Sequence, residues 1–401
     1  IFASEIKAIL KAGVPKQFRF EYLEIYLVLK SIPAPDTFYK NVFKLMPGHY
    51  IIADNSGFKQ YKYWDFPQFD EKHLLKDKKE VYNKFEELLE DSVKIRMRSD
   101  VPYGAFLSGG LDSSSIVSLM SRNSKYPINT FTIGFNENEF DESNLASLVS
   151  DTYSTNHKVG MVHPENFENY LDFVIKHYDE PFGDSSAIPT GHVSELASEM
   201  VKMVLTGDGG DEVLSGYPSY LGVEFAQKYS SLPKFIKRKM LNLVRTSSKL
   251  FRKSKRYKLN RLENILDSAD KDFINFLIHK RAKPSYKIIK SLLPPSYSFL
   301  SVKDFLLDFM KECKYDDEFY KMMYFNFKFD LPNGYLVKVD RVSMAHSLET
   351  RLPFLDFRLI EFMSSVHKTI KMNGWQTKSV LRDTIGKNLP SQLLNSKKKG
   401  F

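Results

Sequence analysis

The stretch Ser108-Gly109-Gly110-Leu111-Asp112-Ser113-Ser114 decides the fold. It follows the apolar run 101–107 and leads into 113–122, where apolar residues recur at helical spacing. The pattern therefore predicts a strand, a tight glycine turn and a helix. Two adjacent glycines let the main chain turn sharply and approach a ligand, and the amide groups at the start of a helix favour phosphate oxygens. We expect a phosphate-binding loop here.

A second acidic glycine loop, Thr206-Gly207-Asp208-Gly209-Gly210-Asp211-Glu212, begins at the last residue of the predicted strand 201–206. Carboxylates are unexpected beside bound phosphate, since two anions need a cation between them. If the two strands are neighbours in a parallel sheet, Asp112 and Asp211 project from the edge where open α/β sheets bind ligands. The two carboxylates would then share Mg²⁺, which takes carboxylate and phosphate oxygens. The alternative is a pair of ordinary turns with aspartate caps.

The first loop differs from a Walker A loop, which has a longer glycine spacing and a Lys-Ser/Thr pair. A lysine that grips the γ-phosphate is therefore missing from it. We expect ATP and Mg²⁺ as cofactors, with cleavage between the α- and β-phosphates.

Several motifs together resemble a known family. The first loop resembles the PP-loop of the ATP pyrophosphatase superfamily, and much of the chain resembles the asparagine synthase family. The motifs that carry the resemblance are 108–114, 179–186 (DEPFGDSS), 206–217, 338–346 (KVDRVSMAH), 349–356 (ETRLPFLD) and 389–401. The resemblance implies an α/β fold, with a parallel doubly wound sheet of PP-loop type and a C-terminal all-helical part.

The order of predicted elements divides the chain. Residues 1–66 resemble the end of an N-terminal α+β glutaminase domain, and 67–401 would form the synthetase domain. Alternating strands and helices predict the α/β core over 67–217, and helical patterns predict a mostly helical part over 218–401. The family's glutaminase nucleophile is an N-terminal cysteine, whereas Ile1 begins this sequence. We therefore expect this chain to use free ammonia rather than glutamine.

The resemblance also assigns site residues. Asp208 would be the carboxylate linked to adenylate formation, and Lys398 the cation that stabilises the departing pyrophosphate. Glu349 and Arg351 would help to build the pocket for the acid substrate, or would instead form a buried Arg–Glu pair that holds helices together. Strand ends and loop residues would bind ATP and pyrophosphate: Leu107, Ser108, Gly109, Gly110, Asp112, Ser113, Ser114, Ile133, Thr206 and Gly207.

By resemblance, the β-carboxylate of aspartate attacks the α-phosphate of ATP to give β-aspartyl-AMP and pyrophosphate. Ammonia, supplied by glutamine in the intact protein, then gives asparagine and AMP. A related amidotransferase or β-lactam-synthetase-like enzyme that adenylates another carboxylate stays open. A non-catalytic or nucleic-acid-binding module that uses residues 234–261 also stays open as an alternative. The clustered carboxylates of the two loops favour a catalytic site instead.

The composition and charge of the chain limit the kinds of binding partner that we expect. The net charge is +9, and 234–261 holds twelve basic and no acidic residues, a run that is usually a solvated face. No apolar run approaches the length of a membrane span, and the single cysteine, Cys313, suits a reducing cytoplasm. We expect a cytoplasmic protein with neither a membrane nor a nucleic-acid partner, and a homodimer stays open.

Overall fold

The computed structural model describes residues 1–137, 141–162, 167–250, 266, 269, 271–283 and 285–395. A two-stranded antiparallel hairpin precedes a five-stranded parallel sheet. The strands are β1 (His49–Asp54), β2 (Gly57–Lys62), β3 (Tyr103–Phe106), β4 (Asn129–Phe135), β5 (Asn156–Val162), β6 (Met203–Leu205) and β7 (Glu349–Arg351).

Helices predominate among the described residues that follow β6 in the chain. A π-helix spans Asn326–Tyr335, and short 3-10 turns span Phe20–Tyr22, Glu71–His73, Met310–Glu312, Pro353–Leu355 and Ile385–Asn388. The α-helices are α1 (Ile6–Lys11), α2 (Leu23–Leu29), α3 (Lys78–Arg96), α4 (Leu111–Arg122), α5 (Ser143–Tyr153), α6 (Phe167–Tyr178), α7 (Ala187–Ser198), α8 (Gly210–Val213), α9 (Pro218–Ser230), α10 (Lys234–Leu250), α11 (Phe273–Arg281), α12 (Tyr286–Leu292), α13 (Val302–Phe309), α14 (Glu318–Phe325), α15 (Leu336–Ala345), α16 (Phe357–Ser364), α17 (Lys368–Lys371), α18 (Ser379–Asp383) and α19 (Ser391–Asn395).

The strand order of the large sheet is β5-β4-β3-β6-β7, and all of its pairings are parallel. Successive strands from β3 to β5 are added on one side, and β6 and β7 on the other. The direction of winding therefore reverses between β3 and β6, which is where open α/β sheets form a ligand crevice at their carboxyl edge. The predicted α/β class with a parallel doubly wound sheet is confirmed.

One part of that expectation is wrong, because the C-terminal part is not all helical. Its strand β7 pairs with β6 in the register Met203↔Glu349 and Leu205↔Arg351. The Thr206 amide extends this pairing by donating to the Arg351 carbonyl at 2.9 Å. Three residues are too few to show a strand periodicity, so only the open edge of β6 reveals this strand.

The N-terminal residues pack on the rest of the chain through a common apolar core. Ile25 and Val28 of α2 belong to the same buried cluster as Val81 and Phe85 of α3. Beside them the Glu24 carboxylate, 1% exposed, accepts hydrogen bonds from the side chains of two residues of α12 and from the main-chain amide of Val302. None of the described helices combines the length and the apolar composition that a bilayer crossing requires.

Lys371, at the end of α17, is a buried cation. Its side chain is 1% exposed, and its ammonium lies 3.2 Å from the Met323 sulfur. Among the described residues no carboxylate pairs with it. Burial alone lowers the pKa of Lys371 to about 7, because the charged form loses its hydration. The folded protein therefore binds fewer protons than the unfolded chain between pH 7 and the usual lysine pKa of about 10.4.

Stability should accordingly rise with pH across that window, since the unfolded chain must release its extra proton there. We expect Lys371→Met to raise the free energy of unfolding at pH 7 by about 3 kcal/mol and to flatten the rise toward pH 10. Urea unfolding at several pH values measures both effects. Lys287→Met, at an exposed position, is the control. Equal stabilities of the Lys371 variant and the unchanged protein at pH 7 would contradict the effect of burial.

Candidate active site

The two glycine loops meet at the crevice between β3 and β6. The first loop leads into α4, whose N-cap is Gly110, and the second into α8, whose N-cap is Gly209. A Cβ on Gly207 would lie 2.6 Å from the Ser113 nitrogen, and one on Gly210 would lie 2.8 Å from the Asp112 Cγ. The second loop therefore rests directly on the first turn of α4, and only glycine permits that approach.

Lys378 joins the two acidic loops. Its ammonium contacts the Asp112 carboxylate and lies 2.6 Å from Asp211 Oδ1. All three side chains are largely withdrawn from water, with exposed fractions of 7% for Lys378, 17% for Asp112 and 14% for Asp211. Burial by itself lowers the pKa of Lys378, but the two carboxylates outweigh burial and raise that pKa well above its usual value.

Gly216 makes room for this ion triad. A Cβ there would lie 2.0 Å from the Lys378 Cε and 2.1 Å from Asp211 Oδ1. The Gly216 amide also donates to the main-chain oxygen of Asp211 at 2.8 Å. Gly216 thus both holds the main chain of Asp211 through this hydrogen bond and leaves space for the Lys378 side chain.

Serine hydroxyls brace the first loop. The hydroxyls of Ser108 and Ser113 lie 3.0 Å apart, and Ser108 Oγ accepts from the Gly110 amide at 3.3 Å. Gly109 has φ +72 and lies against the start of α5, where an added Cβ would come within 2.8 Å of Leu145. Ser114 is fully buried. The loop is a preformed turn, with Ser108 and Ser113 nearer its surface than Ser114 is.

Comparison with known proteins identifies the family. Residues 84–401 match the family model described as asparagine synthase. The chain belongs to the asparagine synthase family. Residues 1–64 match the glutamine amidotransferase domain, which agrees with the resemblance of the first residues to a glutaminase domain.

Relatives in this asparagine synthase family carry concordant names. The asparagine synthetase (glutamine-hydrolyzing) 1 of Bacillus subtilis is 29% identical over 405 residues, which cover 100% of this chain and 61% of that protein. A protein of Mycobacterium bovis, provisionally named asparagine synthetase (glutamine-hydrolyzing), is 30% identical over 406 residues with the same coverage. A Methanocaldococcus jannaschii protein, provisionally named asparagine synthetase (glutamine-hydrolyzing) 2, is 42% identical over 246 residues, 59% of this chain and 46% of that protein. The chain thus spans less than two-thirds of the length of these relatives.

The strand-end residues of this asparagine synthase chain lie beside the loops. Leu107 is fully buried, its amide donates to the Phe131 carbonyl at 2.9 Å, and its carbonyl accepts from the Thr132 hydroxyl. Ile133 is half-buried on the neighbouring strand β4. Thr206 is buried, and its hydroxyl accepts from the Asp208 amide at 3.3 Å. The sheet therefore already uses both main-chain polar groups of Leu107, so its contribution to a nucleotide pocket would be apolar.

The second loop also holds an acid that sequence reasoning missed. Asp208 is half-buried at the tip of the loop. Glu212, by contrast, is 1% exposed, and burial raises the pKa of its carboxyl group to about 8. The Tyr217 hydroxyl donates a hydrogen bond to this carboxyl group at 2.6 Å. Glu212 thus anchors α8 from inside the protein, next to Asp211.

Glu349 and Arg351 lie on β7 and pair with each other at 2.7 Å. The Arg351 guanidinium also donates to the carbonyls of Arg96 and Arg98, near the end of α3. The two residues do form an Arg–Glu pair, but the pair lies on a strand rather than between helices, and it is not buried because Glu349 is more than half exposed. Lys398 lies outside the described residues. The role of all three in substrate or pyrophosphate binding stays a prediction.

Lys378 itself was not predicted. It precedes α18 in the turn Gly374-Trp375-Gln376-Thr377-Lys378, with φ +57. Neither glycine spacing nor neighbouring charge distinguishes it from other lysines in the sequence. Among the described residues no group of three or more His, Cys, Asp or Glu side chains could hold a metal. A hard metal ion held by Asp112 and Asp211 would complete its coordination with other oxygens, from water or from a ligand.

Removing the ammonium should leave two buried carboxylates facing each other. We expect Lys378→Met to destabilise the metal-free protein by about 3 kcal/mol, since an uncompensated buried charge is costly. Adding Asp211→Asn should restore most of the loss, and Mg²⁺ should raise the melting temperature of Lys378→Met more than that of the unchanged protein. Calorimetry with and without Mg²⁺ measures these shifts, with Lys287→Met as control. A melting temperature of Lys378→Met equal to the control's would exclude an ionic role for the triad.

Proposed function

We propose that this chain is the ATP-using part of an asparagine synthase that adenylates aspartate and releases pyrophosphate. Ammonia would then displace AMP to give asparagine. The observation that carries the proposal is the convergence of Asp112 and Asp211, from the ends of β3 and β6, on one cation at the crevice of the sheet. A phosphate-rich ligand with a divalent ion fits such a crevice better than a neutral ligand does.

The first loop would hold the phosphates. Amide groups at the start of α4 would donate to oxygens of the anion, and the helix dipole would add favourable charge. The hydroxyls of Ser108 and Ser113 are positioned beside these amides by their mutual contact. Leu107 and Ile133, at the ends of adjacent strands, would offer apolar surface to the adenosine. Thr206 and Gly207 would close the pocket from the second loop.

The two carboxylates fit Mg²⁺. They already surround one position of positive charge, and both are hard oxygen donors of the kind that Mg²⁺ prefers. When bound, Mg²⁺ would neutralise charge on the pyrophosphate. The Lys378 ammonium would turn from the carboxylates toward phosphate oxygens, and Asp208 would face the acyl-phosphate end from the loop tip. Lys398 would add a second cation.

The ammonia source proposed for the whole protein is glutamine. The match of residues 1–64 to an amidotransferase domain supports this source. The motif 179–186 contacts that region directly: the Glu180 carboxylate accepts from the Phe38 amide at 3.1 Å and pairs with Lys44, and the Gly183 amide donates to the Lys30 carbonyl at 2.9 Å. These contacts join the amidotransferase match to the synthase match, as ammonia transfer between them requires.

Aspartate is the proposed acceptor because relatives that align with the full length of this chain are named asparagine synthetases. ATP–pyrophosphate exchange with aspartate and a panel of other carboxylic acids tests this choice. Exchange that depends on aspartate supports the proposal. Exchange that depends on another acid assigns the chain to a related amidotransferase or β-lactam-synthetase-like enzyme. No exchange with any acid would reject carboxylate adenylation.

The shared-ion site predicts a non-additive pair of variants. Asp112→Asn and Asp211→Asn should each lower the exchange rate by about 100-fold or more, since the loss of either carboxylate weakens the binding of the same ion. The double variant should be little worse than either single variant. Asp100→Asn, at an exposed position before β3, should leave the rate unchanged. Full additivity, or exchange that proceeds equally well in EDTA, would reject the shared ion while leaving the family assignment intact.

A further inference from the structure

Helix α10 exposes large apolar side chains to water. Phe235 is 72% exposed, Leu243 is 68% exposed and Met240 is 37% exposed. Phe235 and Leu243 lie on one outward strip of the helix with Lys239 between them, and Met240 lies beside this strip, about 60° around the helix from Leu243. Exposed apolar residues gathered in this way mark an interaction surface more often than scattered ones do.

The opposite face fixes the orientation of the helix. Leu241 and Val244 pack against the main core cluster. The Tyr229 hydroxyl of α9 donates to the Lys237 carbonyl at 3.3 Å, and the Lys237 ammonium lies 5.9 Å from the Tyr229 ring centre. One face of α10 is therefore bound to the protein, and its outward strip cannot turn inward without losing these contacts.

Cations lie on the outward strip and beside it. Lys234, Arg238 and Lys239 are all exposed. The sequence contains no acidic residue between Glu224 and Glu263, so nothing nearby in the chain neutralises them. The surface combines apolar groups, which favour a non-aqueous phase, with uncompensated positive charge, which favours an anionic partner.

We propose that this outward face of α10 binds the surface of a bilayer that contains anionic lipids. Phe235, Met240 and Leu243 would enter the acyl boundary, while Lys234, Arg238 and Lys239 would contact the headgroups. The helix would lie on the membrane without crossing it. This surface departs from the expectation of no membrane partner, and it does not depend on the proposed function.

Nucleic acid fits the same surface less well. The cations could contact phosphates, but Leu243 and Met240 offer neither hydrogen bonds nor an aromatic face to bases. Phe235 alone could stack. Binding to nucleic acid would leave two large apolar side chains in water, whereas a bilayer buries all three.

Vesicle co-sedimentation tests the proposal on the chain as it is. We expect binding to vesicles of equal parts phosphatidylcholine and phosphatidylglycerol, weaker binding at high salt, and little binding to phosphatidylcholine alone. Equal binding to both vesicle types, or binding to neither, would overturn the proposal.

Matched variants separate the apolar and ionic contributions. Phe235→Ser with Leu243→Ser, and separately Arg238→Gln with Lys239→Gln, should each lower partitioning onto the anionic vesicles by about tenfold or more. Leu292→Ser is the matched control, since Leu292 is also a helix residue with 68% exposure. Circular dichroism verifies folding. Equal loss in the Leu292 variant would overturn the proposal, as would preferential binding to single-stranded DNA that depends on Arg238 and Lys239 but not on Phe235 and Leu243.

Discussion

The buried Lys378 ammonium holds the two glycine loops and the C-terminal helices in one arrangement. Asp112 and Asp211 follow strands that are neighbours in the sheet, but their like charges would repel at this distance without Lys378 between them. One positive against two negative charges leaves a net negative site, which attracts a further cation. Lys378 comes from the turn before α18, so the geometry of the sheet edge depends on residues far along the chain.

The sequence predicted the parts of this site that have local signatures. Glycines with an aspartate after an apolar run mark both loops, and their strand neighbours follow from the βαβ alternation. Lys378 has no such signature, because its partners are defined only by the folded crevice. The same limit hid β7, whose three residues pair only because β6 has an open edge. Glu349 and Arg351 stood in a recognisable motif, yet only coordinates reveal that they bind each other and the end of α3.

Residues 1–64, which match the amidotransferase domain, pack against the residues that match asparagine synthase. Apolar residues of α2 share a core with α3, and Glu24 is buried among donors from the C-terminal helices. A buried carboxylate without these donors would be costly, so the two regions stabilise each other. The motif 179–186 adds ionic and main-chain contacts at the same boundary. Changes on either side of this boundary are therefore expected to affect both regions.

Strand β7 has a consequence for how the chain folds during synthesis. The sheet gains its last strand only after residue 351 has emerged, although β6 ends at Leu205. Until then β6 keeps an unpaired edge, which other chains can join. Pairings between such distant residues form slowly, because a long loop must first close. The boundary at 217 thus divides the sequence pattern but does not release an independent folding unit, and a ribosome-bound intermediate of this protein would be open to aggregation or to chaperones.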